Sequence, residues 1–213
     1  MFELLTGIGL ATSAGLNAYI PLLMIGLLSR YTDLLTLPEQ WQWMENGWAL
    51  TILGILLGVE VIADKIPVVD HINDILQTAV RPSAGGISFG AAAGSETFID
   101  DPGQMFGSNT WVPITLGAII SLIVHGIKTA TRPVVNATTG GLGAPVASTA
   151  EDAFSITLSA AAILFPVLII VFLGLLIWAF VALRRRLKRR KAAKSKLSPE
   201  VEAAVRAAQQ RKR

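Results

Sequence analysis

Apolar residues fall in long runs along this chain, and the runs set its plan. Leu4 to Leu28 is the first. It is long enough for a membrane-crossing helix, which needs about 20 mostly apolar residues. Asn17 and Pro21 interrupt it within Gly15-Leu16-Asn17-Ala18-Tyr19-Ile20-Pro21. That predicts a kink, with Asn17 turned toward protein or a cavity. A polar stretch from Arg30 to Gly47 follows, with Trp41, Trp43 and Trp48 placed as interfacial aromatics. The second run, Trp48 to Ala63, is short unless it extends into Asp64 and Lys65.

The period then changes. Val68, Val69, Ile72, Ile75, Leu76, Ala79 and Val80 recur at helical spacing, with Asp70, Asp74, Gln77 and Arg81 on the other face. This predicts an amphipathic helix over 67–81, lying at an interface with its polar face wet. After Arg81-Pro82, the small residues of Ile87 to Gly94 are too few to cross and predict a re-entrant half-helix. Trp111 to about Lys128 is the next span, and Thr138 to Gly143 is again rich in small residues. The last run, Ala153 to Leu183, is long enough to need tilt or an extension out of the bilayer. Ser198 and Pro199 look like the N-cap and first residue of a short soluble helix.

These elements predict an all-α, polytopic membrane helix bundle. It has about four spans with one or two re-entrant Gly-rich segments. Residues 1–183 form the transmembrane domain, and 184–213 a basic cytoplasmic tail with a short helix. In an alternative plan, 84–100 crosses as a fifth span and the N-terminus lies outside.

Composition sharpens this picture. The chain is 52% hydrophobic and 15% charged, with a mean hydropathy of +0.56, whereas soluble domains carry about 25% charged residues. Residues 1–183 hold five basic and thirteen acidic side chains, a net of −8, and the tail holds thirteen basic and two acidic, a net of +11. The basic pI therefore belongs to the tail, and no nucleic-acid partner is expected. The tail is instead a stop-transfer and positive-inside signal, suited to anionic lipid headgroups. Counting back from a cytoplasmic C-terminus puts 129–152 outside, 64–83 inside and the N-terminus inside. The first run lacks a basic leader and a small-residue cleavage site, so it is expected to be retained. There is no Cys, hence no disulfide or thiolate chemistry. A homo-oligomer is left open.

Pro67-Val68-Val69-Asp70 nearly matches Pro133-Val134-Val135-Asn136, 66 residues on. Each follows a span ending in charge, which suggests an inverted repeat of the kind found in small transporters. A chance match of common residues is the competing explanation.

Four of the five basic residues before the tail are Lys65, Arg81, Lys128 and Arg132. Glu60 and Asp64 are i and i+4, so they share a helix face, with Lys65 beside it. Carboxylates inside a span are costly unless paired or hydrated. Two together suit a cation or a shared proton. The plainer reading is that Lys65 neutralises one and the cluster fastens helices. His125 and Lys128 are i and i+3; the His suits proton exchange or simple packing. Arg81 and Arg132, each before Pro, suit an anion held at a half-helix N-terminus, or snorkelling to headgroups. Asp70, His71 and Asp74 have the residue types of a metal site but fit a wet helix face better, so the metal stays unassigned. Glu151 and Asp152 suit the N-terminal dipole of the last span. There is no HExxH, G-x-S-x-G or Walker loop, so neither enzyme nor cofactor is expected.

Leu16-Asn17-Ala18-Tyr19-Ile20-Pro21-Leu22, Glu60-x-x-x-Asp64-Lys65-Ile66-Pro67-x-x-Asp70, Arg81-Pro82 and His125-Gly126-x-Lys128 together carry a resemblance. They resemble the domain-of-unknown-function family 4126 of bacterial integral membrane proteins, over about residues 1–180. The resemblance implies a bacterial cytoplasmic (inner) membrane location and no particular activity. The Glu-x-x-x-Asp-Lys element is more weakly similar to the Glu-x-Gly-Asp-Lys motif of small cation exchangers, with one more residue and no Gly. The expected function is a small transporter of a cation or a proton-coupled solute. An anionic-lipid carrier and a non-transporting scaffold are the alternatives. Glu60, Asp64, Lys65, Asn17, His125 and Lys128 are the candidate ion or substrate residues, and Arg81 and Arg132 the candidate anion residues.

Overall fold

The computed structural model describes residues 2–94, 96–97, 111–140, 142–175 and 178. Their class is all-α. Six helices are α1 (Phe2–Leu16), α2 (Tyr19–Tyr31), α3 (Gly47–Ala63), α4 (Pro67–Gly94), α5 (Trp111–Thr139) and α6 (Gly143–Leu164). A 3-10 helix, Glu39–Glu45, precedes α3. Two-residue strands β1 (Leu35–Thr36) and β2 (Glu96–Thr97) pair antiparallel. By packing, residues up to Ile170 form one unit and those from Val171 a second. Of the second unit, 171–175 and 178 are described, all helical.

The first apolar run is not one kinked helix. The Asn17 side-chain oxygen accepts from the backbone N–H groups of Tyr19 (3.1 Å) and Ile20 (3.3 Å). It thereby caps a new helix start. Pro21 then sits in the first turn of α2, where a missing N–H costs nothing. The pairing partners show where the chain goes next. Along α1, Thr6 bonds the Ala162 carbonyl, Ser13 bonds Ser155, and Asn17 bonds Asp152. So α1 runs antiparallel to α6. A side chain at Gly7 would meet Phe89, while the Gly15 carbonyl accepts from Arg81, so α1 also runs antiparallel to α4. Along α2, Tyr19 hydrogen-bonds Gln77 and Leu22 lies against Ala79–Ile87, so α2 runs parallel to α4. Consequently α1 and α2 form a hairpin. At 1.5 Å per residue its arms are about 22 and 20 Å long.

Two more hairpins complete the unit. α3 and α4 are joined at 64–66, and α5 and α6 at 140–142. Gly140 makes the second turn with φ +62°, a left-handed position that favours glycine after a helix. α4 and α5 cross closely at Gly85 and Gly117, where a Cβ on Gly85 would lie 2.7 Å from the Gly117 carbonyl oxygen. Both of these turns lie at one end. The N-terminus and the strand pair lie at the other.

Several expectations change. Residues 67–94 are one continuous helix through Pro82, instead of an interfacial helix followed by a separate half-helix. α5 likewise continues through Pro133 to Thr139. The last run starts at Gly143 and breaks at Phe165, because Pro166 cannot continue the ladder. Turns expected on opposite sides therefore share one end. Pro67 opens α4 while Pro133 lies inside α5, so the near-matching tetrapeptides occupy unlike places. The basic tail and its expected Ser198 helix lie outside the described residues.

Burial runs opposite to that of a water-soluble domain. Ile55 (62%), Ile62 (65%), Ile72 (60%), Ile75 (65%) and Ile123 (58%) are exposed, whereas Ser13, Glu60, Asp64, Asp74, Gln77, Arg81, His125, Lys128 and Arg132 are buried. The face of α4 expected to be wet is the buried one. Among the described residues, α5 is the one helix long and apolar enough by itself to cross a membrane. The 3-10 helix with α3, bent by 62°, makes a second candidate.

Candidate functional site

The tip of the α1–α2 hairpin ends inside the unit, and its end groups need partners. The last carbonyls of a helix have no partner within it and carry partial negative charge. Here cations supply the bonds. Arg81 donates from Nη1 to the Gly15 carbonyl (3.2 Å), and Lys128 Nζ donates to the Leu16 carbonyl (3.0 Å). The Asn17 amide nitrogen donates to Asp152 Oδ1 at 3.0 Å.

Around this tip α3, α4, α5 and α6 contribute an ion network. Asp64, at the end of α3, is its centre. Its Oδ2 lies 2.9 Å from Lys128 Nζ, 3.2 Å from Arg132 Nη2 and 3.8 Å from Arg81 Nη2. Its Oδ1 accepts from the Asn73 amide at 2.9 Å. One turn back, Glu60 Oε1 accepts from Arg81 Nη2 at 2.8 Å. Glu151 Oε2 holds both Arg132 (2.7 Å) and Lys128 (3.1 Å). Lys65 turns away from Glu60, donating to the Val61 carbonyl and lying 4.0 Å from Asp152. The network thus balances four cations, Lys65, Arg81, Lys128 and Arg132, with four carboxylates, Glu60, Asp64, Glu151 and Asp152.

Balance matters because burial is costly. Arg81 and Glu60 have side chains 0% and 1% exposed. Charges so placed persist only when paired and hydrogen-bonded. Access improves toward the end with the α3–α4 and α5–α6 turns, where the Lys65, Glu151 and Asp152 side chains are 36%, 20% and 14% exposed.

His125 has a defined role in this web. Arg81 Nη1 lies 3.0 Å from His125 Nδ1 and can only donate, so Nδ1 accepts and carries no proton. His125 Nε2–H then donates to Thr78 Oγ1 (3.1 Å), whose own proton goes to the Asp74 carbonyl (2.9 Å). His125 is therefore neutral, and it ties Arg81 to α4 one turn before Arg81's own Cα.

All eight residues singled out from the sequence, Asn17, Glu60, Asp64, Lys65, Arg81, His125, Lys128 and Arg132, lie in or on this network. Glu151 and Asp152 join it as ion partners, beyond the dipole role expected of them. Sequence reasoning missed Asn73, Gln77 and Thr78. The signal for Gln77 was present, since Asp74, Gln77 and Arg81 are i, i+3 and i+7 on one helix face. Among the described residues no cluster of His, Asp and Glu is arranged to hold a metal. The side chains of Asp70 and His71 lie outside what is described.

No curated protein and no solved structure matches this chain. The family model "Domain of unknown function (DUF4126)" matches residues 4–186. That covers the hairpins and every residue of the network, and the chain belongs to this family.

Proposed function

We propose that this is a polytopic protein of the bacterial cytoplasmic membrane that transports a cation or a proton-coupled solute through the ion network. The observation that carries the reading is the inverted burial: charged side chains inside, aliphatic side chains outside. In hydrocarbon, ionisable groups face the bundle interior and mark ion or substrate pathways. The proposed arrangement has α3, α4, α5 and α6 crossing and the α1–α2 hairpin entering and leaving on one side. Arms of about 20 Å are too short for a core about 30 Å thick. Irregular backbone at such depth is tolerated where protein or a cavity surrounds it. The hairpin tip meets both conditions. The basic tail is placed in the cytoplasm by its charge.

Within transport, the cation or proton version is favoured over the anionic-lipid carrier. Arg81 and Arg132 already spend their donors on Glu60, Asp64 and Glu151. A phosphate would have to displace those carboxylates. Flux in proteoliposomes tests the reading. Wild type should move sodium or protons down a gradient, and Glu60→Gln should insert and fold but lose the flux. A wild type that moves neither ion, in protein shown to be folded, would favour the scaffold alternative. Phosphate-dependent lipid movement lost in Arg81→Lys and Arg132→Lys would favour the lipid carrier, since Lys cannot replace bidentate Arg contacts.

A further inference from the structure

The ion network closes on itself, and one buried carboxylate is left over. Asp74 is 5% exposed, and its Oδ1 has no hydrogen-bond partner. The four cations of the network are already matched by its four carboxylates, and His125 is neutral. Asp74 therefore leaves one uncompensated negative charge inside the unit. Buried charges are paired or they bind something that pairs them.

Two further acceptors are orphaned in the same place. Gln77 is 3% exposed with Oε1 unpartnered, and Glu60 is 1% exposed with Oε2 unpartnered. Asp74 and Gln77 are i and i+3, so they share a face of α4. Glu60 belongs to another helix, but Arg81 brings it to this face. The Arg81 guanidinium reaches back to His125, which is hydrogen-bonded to Thr78. The carboxylate that Arg81 holds thus sits at the level of Gln77 and Thr78, within about one 5.4 Å turn of Asp74. The Tyr19 hydroxyl, at the hairpin tip, hydrogen-bonds Gln77 and lies within electrostatic reach of both Glu60 and Arg81.

We propose that Asp74 Oδ1, Gln77 Oε1 and Glu60 Oε2 form a site for a dehydrated monovalent alkali cation, sodium being the probe. A proton would satisfy one acceptor and leave two. Three oxygen acceptors with no soft ligand suit a hard cation, and the charge count asks for a single positive charge. Asp64 is not a ligand, because its oxygens are taken by Asn73, Lys128 and Arg132. Tyr19 links the site to the α1–α2 tip, so occupancy bears directly on the position of the hairpin.

The inference deepens the transport reading, and its test is binding measured without flux. Thermal unfolding of the full chain in detergent is followed in sodium chloride and in choline chloride at equal ionic strength. A ligand that binds only the folded state raises the midpoint saturably. The midpoint should rise in sodium and not in choline. Asp74→Asn should abolish the difference, and in choline should unfold no earlier than wild type, since it removes the uncompensated charge. Gln77→Leu, which changes no charge, should weaken the apparent sodium affinity by roughly tenfold or more. Equal midpoints in sodium and choline, or a sodium response kept in Asp74→Asn, would overturn the site. So would midpoints that follow pH with no sodium dependence, because Asp74 would then carry a proton. Sodium binding without sodium flux would remove the transport reading and leave the site. Flux of another ion without sodium binding would do the reverse.

Discussion

Glu60 and Lys65 are five residues apart, yet they do not pair. A helix turns 100° per residue, so Lys65 points away from the face that Glu60 and Asp64 share. Glu60 instead meets Arg81, 21 positions later. The stability consequences differ sharply. Glu60→Gln leaves Arg81 short of its charge partner in a fully buried place, which should cost about 3–5 kcal/mol. Lys65→Met removes a partly exposed pair 4.0 Å long and should cost about 0–1 kcal/mol. Denaturation of the two variants measures both. Combining Glu60→Gln with Arg81→Met should recover part of the loss. Combining it with Lys65→Met should recover none. If Lys65→Met rescues Glu60→Gln, the assignment of partners is wrong.

At the scale of elements, helix ends and crossings decide the architecture. Asn17 does two jobs, capping α2 through Oδ1 and holding Asp152 through its amide. Asn17→Ala should cost about 1 kcal/mol for the cap alone, and more for the lost Asp152 bond. Gly85→Val would push a branched side chain onto the Gly117 backbone, with a cost of about 1–3 kcal/mol or a failure to fold. Gly54→Leu and Gly58→Leu, where nothing lies within 4 Å, should leave the unfolding midpoint unchanged. Equal loss at all three glycines would contradict the close α4–α5 crossing.

Much of this scale was legible in the sequence. The apolar runs located α3 and α5, and Pro and Asn marked the interruption of the first run. The periodicity of 67–81 identified a helix with one polar face. What periodicity cannot say is which face is buried, because in lipid the apolar face is the outer one. Nor could the small residues of 87–94 show whether they end a helix or pack one. They pack it, letting α4 approach α5. The hairpin was hidden because a break and a reversal leave the same local signal, and only partners far along the chain, Ala162, Ser155 and Asp152, distinguish them.

At the scale of the molecule, sidedness and lipid exposure are open to direct test, and the absence of Cys makes every introduced thiol unique. The fold places the α3–α4 and α5–α6 turns at one end. Ile66→Cys and Leu142→Cys should therefore react with an impermeant maleimide from the same side of the membrane. Asp33→Cys and Gln40→Cys should react from the other. Labelling of Ile66→Cys and Leu142→Cys from opposite sides would restore the inverted repeat. The central claim is that aliphatic side chains face lipid while the ion network stays inside. Spin labels at Ile55, Ile123 and Phe154, in protein reconstituted into bilayers, test it most directly by their relaxation with oxygen and with a water-soluble nickel complex. The account predicts strong oxygen access and weak nickel access at all three. Strong nickel access at these positions would place them in water and contradict the account.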